Sequence, residues 1–320
     1  MVVQKVKFIC IVFISVVLFL LSGKLKAQNV PKHQLDFITD NDLYTNIYKD
    51  KYYSNGLFIN YRWTGRADFL PDFQKKVWSI GIGHQMYLPF KSQIDSLTEI
   101  DRPFAAYLHA NGSLRLFKEN ETAHRITVQL GVMGPSARGE EIQLMYHKSI
   151  GIFRPRGWQF QLKDEFGFNI VYDYLKLLYH SKNRIVDVGF PAQVRLGNTF
   201  SGISAGTLFR VGRLKPYYSS IYSGGNLACD NRGKDRYEYY FFIKPKIDYV
   251  AYNATIQGGM FGNRDPNAKH IKNFVYETSA GAGFSAKNWG VTFAVHFRTK
   301  DTDSQKTPHS YGSIGMELRF

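Results

Sequence analysis

Cysteine is almost missing from this chain. Of two among 320 residues, Cys10 sits in an apolar stretch near the N-terminus and Cys229 stands alone. No intrachain disulfide framework is available, so stability must come from hydrogen-bonded sheet and packing. Long apolar runs are scarce as well. Phe8 to Leu21, about 14 residues, is shorter than the ~20 a membrane-spanning helix needs, and no run as long returns after Gln28. A helical membrane protein is thereby set aside. No Cys or His array has metal-ligand spacing. Acid is short relative to base, 26 residues against 41, for a formal net charge of +15.

The one apolar run has the form of a secretory signal. Lys5 and Lys7 precede it, and a small-residue exit follows at Ser22-Gly23 and Ala27-Gln28. This pattern reads as a basic n-region, a short h-region and cleavage near Ala27, leaving a mature domain from 28 to 320. Cys10 lies within the h-region, too early to be a lipid-attachment site. Removing Lys5, Lys7, Lys24 and Lys26, and no acid, takes the net charge from +15 to +11. A basic exported surface suits phosphorylated lipid or anionic polysaccharide; export sets nucleic acid aside.

Aromatic residues and glycine are plentiful: 25 Phe, 21 Tyr, 4 Trp and 28 Gly. That mixture suits both a transmembrane barrel and a soluble β-sandwich. Strand patterning separates the two. Leu35 and Phe37 alternate with Gln34 and Asp36; Leu57, Ile59 and Tyr61 with Asn60 and Arg62; Ile126, Val128, Leu130 and Val132 with Arg125, Thr127 and Gln129; Ile314, Met316, Leu318 and Phe320 with Glu317 and Arg319. Period two marks strands with one apolar face. Many run beyond the soluble mode of about 5 or 6 residues and reach the ~9–11 of a tilted membrane strand. Turns at Asn120-Glu121, Gly134-Pro135-Ser136, Ser181-Lys182-Asn183, Gly224-Gly225-Asn226 and Lys287-Asn288 separate them. The count is 12 or 13, and bacterial outer-membrane barrels use even numbers. The expected fold is an all-β, 12-stranded antiparallel outer-membrane β-barrel. Its last strand ends on Phe320, as suits recognition by barrel-assembly machinery.

One segment breaks the period. Gly139 to Lys148 is acidic at its start and basic at its end, with Gly151 beyond, which complements a helix dipole. A short helix among barrel strands belongs in a loop. On it Gln143 and His147 are four apart and share a face; a histidine can serve as general base near neutral pH. The plain alternative is a polar face on an amphipathic helix.

Two further polar clusters stand out. Asp40-Asn41-Asp42 and Tyr53-Ser54-Asn55-Gly56 offer oxygen ligands suited to a hard cation such as Ca²⁺. No EF-hand is present, since its sixth and twelfth positions would be Thr45 and Lys51. Either cluster reads equally as a solvated strand end. Asp101-Arg102-Pro103-Phe104-Ala105 reads as structural, with Pro near a strand start. Gly202-Ile203-Ser204-Ala205-Gly206 has the string of a hydrolase elbow, and Gly281 to Ala286 resembles a dinucleotide fingerprint. Both sit in alternating β sequence, where neither motif can work.

Taken in order, these pieces resemble the outer-membrane lipid A 3′-O-deacylases of the LpxR type. The resemblance rests on Asn41-Asp42, on Asp50 with Tyr53-Ser54-Asn55-Gly56, on Asp101 to Ala105, on Gly131-Val132-Met133-Gly134-Pro135, on Gln143 and His147, and on Gly157-Trp158 and Glu165. It covers roughly residues 35 to 170 and loosens beyond, to Gly197-Asn198 and Arg210. The resemblance implies a 12-stranded barrel with its site at the outer rim, where Ca²⁺-dependent hydrolysis removes the 3′ acyloxyacyl group of lipopolysaccharide. It makes His147 the general base, supported by Gln143, and gives Asn41, Asp42 and Ser54 to calcium and substrate. Ser54 stands where the family usually has Thr, and Ala106 where it commonly has Gly. The family's active-site lysine has no equivalent aligned here. Lys148, Arg138, Arg154 and Arg156 flank the helix and are candidate holders of lipid phosphates. Two other readings stay open: a catalytically altered barrel that binds or passes a solute, and a different outer-membrane lipid esterase working through Ser and His.

Overall fold

The computed structural model describes residues 30–45, 51–65, 72–91, 93–151, 153–229, 237–261 and 265–320. The expected signal segment and Asp50 lie outside them. Thirteen strand segments follow in order: β1 (His33–Asn41), β2 (Tyr52–Gly65), β3 (Lys75–Leu88), β4 (Ala105–Phe117), β5 (Thr122–Met133), β6 (Glu165–His180), β7 (Val186–Gly197), β8 (Phe200–Gly206), β9 (Leu208–Arg213), β10 (Glu238–Asn253), β11 (Phe274–Ser285), β12 (Trp289–Arg298) and β13 (His309–Arg319). Each pairs antiparallel with its neighbour, and β13 closes on β1 from Gln34↔Arg319 to Asn41↔Gly312. His33 and Phe320 exchange backbone hydrogen bonds of 3.0 Å at the seam.

The barrel has 12 strands because β8 and β9 are two halves of one. Both pair with β7 on one side and β10 on the other. The break falls at Thr207, where the register sets Pro245 of β10 opposite and Pro191 of β7 beside Gly206. Proline donates nothing to a ladder, so the middle strand loses regular pairing there.

Register fixes which way each side chain points. Leu35, Ile80, Ile82, Leu130, Leu196, Phe241 and Ile247 are exposed, while Gln34, Asp36, Asn169, Asp187 and Asp248 are buried. The apolar faces therefore point out to lipid and the polar faces into the lumen, the reverse of a soluble sandwich. The first decoy string falls inside β8 and the second inside β11 up to Ser285, with Ala286 just beyond, and no helix follows either.

Both ends of the lumen are filled. At the end holding His33 and Phe320, residues 214–229 fold inward. Tyr217 N donates to Glu121 (3.2 Å), Ile221 N to Glu238 (2.8 Å) and Asn226 Nδ2 to Glu317 (2.6 Å). The expected turn at Gly224-Gly225-Asn226 is thus part of an inward plug. At the other end, loops cross the mouth: Arg102 Nη2 donates to Thr255 Oγ1 (3.0 Å), and Ser304 Oγ to the Asp101 carbonyl (2.6 Å). Asp101 anchors this cap, accepting from Tyr52 Oη and Phe90 N at 2.8 Å. The Asp101-Arg102 cluster is structural, as its sequence suggested.

Candidate functional site

The end of β1, the start of β2, the end of β3, the start of β4 and the end of β5 share the rim away from the His33–Phe320 seam. There Asn41 caps a 3₁₀ turn, Asp42–Tyr44, its side chain accepting from Leu43 N at 2.8 Å. Asp42 is buried, and its Oδ2 accepts from Lys51 N at 2.7 Å. An Asn N-cap followed by an acid in the first turn is the local rule for such a start.

Ser54 occupies a β-bulge. Tyr53 pairs with Tyr87 and Asn55 with Met86, so Ser54 is the extra residue between them. Tyr53 turns into the lumen, where its hydroxyl donates to Asp40 Oδ2 at 2.8 Å. Gly56 is needed beside it: a Cβ there would collide with the Tyr53 hydroxyl and lie 3.1 Å from Asp40 Oδ2. Ser54 Oγ is buried and has no hydrogen-bond partner among the described residues. Bulges commonly re-aim side chains next to active sites.

The expected loop helix is present as α1 (Gly139–Ile150), with acidic Glu140 and Glu141 in its first turn, His147 and Lys148 in its last, and left-handed Gly151 (φ 70°) as C-cap. Gly139, Gln143 and His147 form its buried stripe. A Cβ on Gly139 would sit 2.5 Å from Trp158 Cη2 and 2.6 Å from the Ala106 Cβ. Ala106 pairs with Met86, and Met86 with Asn55, which pairs with Asn41. All four side chains lie on the outward face of the wall. The helix therefore lies against the outside of the barrel at the rim, held by Met86, Leu88, Phe104, Ala106, Ala137 and Trp158. Alanine at 106 is accommodated because residue 139 has no side chain.

His147 Nδ1 lies 2.8 Å from the Phe153 carbonyl. A carbonyl only accepts, so Nδ1 carries the proton and Nε2 is the basic nitrogen. The Phe153 ring meets the imidazole edge-on at 5.1 Å. Gln143 Oε1 accepts from Trp158 Nε1 at 2.6 Å, which ties the helix to the following loop.

The four basic residues do not converge. Arg138 pairs with Glu141 at 2.8 Å and Arg156 with Asp95 at 3.3 Å, both exposed, and Lys148 and Arg154 are exposed separately. The Arg138 partner holds the Glu141 carboxyl below its ordinary range.

His84 was missed by the sequence reading. It follows Ile80 and Ile82 on the lipid-facing register of β3, yet it is buried, with Nε2 2.9 Å from the Ala137 carbonyl beneath the helix. The signal was available: a titratable residue at an apolar-out position means something covers it.

Among the described residues no group of three or more His, Cys, Asp or Glu side chains gathers as a metal site. The chemistry at Asn41, Asp42 and Ser54 nevertheless suits a hard cation, being all oxygen with one carboxylate and an orphaned, buried hydroxyl.

No curated protein matches the chain. Among solved structures, "LpxR from Salmonella typhimurium" superposes with a TM-score of 0.71 at 21% identity, covering 90% of this chain and 100% of that one. The β domain of the Bordetella autotransporter BrkA gives 0.47 at 10% identity, covering 91% of this chain and 100% of its own. The family model described as "Outer membrane protein LpxR" matches residues 11–320, nearly the whole chain. This outer-membrane barrel belongs to the LpxR family.

Proposed function

We propose that this protein is a lipid A deacylase that hydrolyses the 3′-linked acyloxyacyl ester of lipopolysaccharide, at the outer rim of the barrel and in a Ca²⁺-dependent manner. The observation that carries the reading is the placement of His147. A buried histidine with its tautomer set by the Phe153 carbonyl lies on a helix applied to the lipid-facing wall. A lipid substrate reaches that face from the outer leaflet without entering the lumen.

His147 Nε2 takes a proton from water as the water adds to the ester carbonyl. The same nitrogen returns it to the departing sugar oxygen, giving a free hydroxyl and a carboxylic acid. General acid–base help of this kind contributes about 10²–10⁴-fold. The Phe153 carbonyl stabilises the imidazolium formed between the two transfers. Gln143 and Trp158 hold the helix so that His147 keeps its aim. Asn41, Asp42 and Ser54 would hold the calcium, which supplies Lewis-acid stabilisation of the carbonyl oxygen as charge develops there. With no serine nucleophile required, Ser54 acts through its oxygen as a ligand. Lys148, Arg138, Arg154 and Arg156 are offered to the lipid phosphates from separate positions around the helix. The partners are lipopolysaccharide in the outer leaflet and, through the Phe320 end, the barrel-assembly machinery.

Passage of a solute fits less well, since segments at 214–229 and around Arg102 fill both ends of the lumen. The deciding experiment is mass spectrometry of lipid A from cells expressing the wild type or His147→Ala, with and without calcium. Loss of one acyloxyacyl unit in the wild type alone supports the proposal. Intact lipid A with folded wild-type barrel refutes it, and lyso-phospholipid in its place points to a different esterase.

A further inference from the structure

The lumen carries a second feature that deacylation does not use. A cavity of about 490 Å³ inside the barrel, against the plug residues Ile221 to Gly224, is lined by Arg62, Arg115, Arg125, Lys244 and Lys246, against only Asp173 and Glu317. Most of that charge has a partner. Arg62 Nε meets Asp36 at 2.5 Å and its Nη2 meets Glu317 at 4.0 Å, Arg125 meets Asp173 at 2.8 Å, and Lys246 meets Glu277 at 3.2 Å. Arg115 and Lys244 make no ion pair within 4 Å among the described residues. The hydrogen bond Arg115 does make is to a neutral acceptor, the Ser223 carbonyl of the plug.

The geometry is more specific than the charge excess. The Nη1 atoms of Arg62 and Arg115 converge on plug residue Gly224. The site a Cβ would occupy there is 2.8 Å from Arg62 Nη1 and closer still to Arg115 Nη1. Gly224 has φ +69°, a conformation glycine adopts without strain. Arg62 Nη1 is buried and has no hydrogen-bond partner among the described residues. Asp36 and Glu317 engage the Nε and Nη2 of Arg62, which leaves its Nη1, beside the Arg115 guanidinium, as the nitrogen with room for a further acceptor. Guanidinium forks match the oxygens of a tetrahedral oxyanion.

We propose that the lumen binds a small inorganic oxyanion, of the sulfate or phosphate class, at the Arg62–Arg115 pair beside Gly224. Lys244 adds charge from the opposite wall of the same cavity. The anion would join strands β2 and β4 to the plug. Lipid cannot reach this place through the barrel wall, so the ligand is a free ion.

The test uses the full mature barrel, refolded in zwitterionic detergent with sulfate as probe. Titration calorimetry is expected to show one saturable site. Arg115→Gln should weaken it by about tenfold or more, the loss of one charge-assisted hydrogen bond. Lys244→Met, which alters charge without touching the plug, should weaken it less and serves if Arg115→Gln fails to fold. Crystals grown with selenate should carry an anomalous peak beside Arg62 and Arg115. Absence of saturable heat with a folded wild type, equal affinity in both variants, or a peak absent from this cavity would overturn the proposal.

Discussion

Arg210→Met tests how the plug is held. Arg210 is fully buried in β9. Its Nε and Nη2 bind Asp187 of β7 at 3.0 and 2.5 Å, and its Nη1 donates to plug residue Ser220 at 2.9 Å. Glu238 of β10 lies 3.6 Å from the same nitrogen and accepts from Ser220 Oγ at 2.6 Å and Ile221 N at 2.8 Å. The guanidinium also stacks over Tyr217 at 4.8 Å and Tyr222 at 5.3 Å. Methionine preserves much of the stem's volume but leaves two buried carboxylates facing each other without a cation. Removing one partner of a buried pair costs about 3–5 kcal/mol. The cost has an escape route, because the 12-stranded wall can stay closed while residues 214–229 undock. The expected result is a barrel that keeps its heat-modifiable mobility but becomes cleavable by chymotrypsin at Tyr218 and Tyr222. In urea, its plug should open well before the wall unfolds. Plug protection equal to wild type, or a loss below about 1 kcal/mol, would refute the assignment of Arg210 as the plug's anchor.

Four further outcomes follow from the rim. Gly139→Ala should lift α1 from the wall and cut turnover by about tenfold or more, as misplacement of a catalytic group does; adding Ala106→Gly should recover part of that loss, and no recovery would mean the contact is unimportant. Removing calcium with a chelator should abolish turnover, and a ligand set with one carboxylate should require about 0.1–1 mM for its return; activity that survives chelation removes the metal. Ser54→Ala should raise that requirement while Ser54→Thr preserves it, as read by calcium titration of initial rates. Gln143→Leu, which keeps a side chain of similar size and deletes the acceptor of the Trp158 N–H, should lower kcat more than it raises KM; an unchanged kcat would make that bond purely structural.

The sequence made the barrel legible because its alternation is long and regular, and because an isolated helical stretch between strands can only lie in a loop. It showed Asn41-Asp42, Ser54, Gln143 and His147 as polar residues without showing what brings them to one rim. His84 was hidden because a lone histidine has no period. The bulge at Ser54 was hidden because one extra residue in a strand is visible only against its partner.

The order of apolar and polar residues, local in the chain, was enough to dictate strands, a count of 12 or 13 that the even number of bacterial outer-membrane barrels takes to 12, and a helix near 139–148. Tertiary structure alone decided that the helix lies on the outer wall and that residues 214–229 turn inward to meet Glu121, Glu238 and Glu317. Those outcomes depend on closure of β13 onto β1 and on contacts more than 90 residues apart for Tyr217 and Asn226. Periodicity reports which residues share a face, whereas only the closed cylinder determines what that face meets.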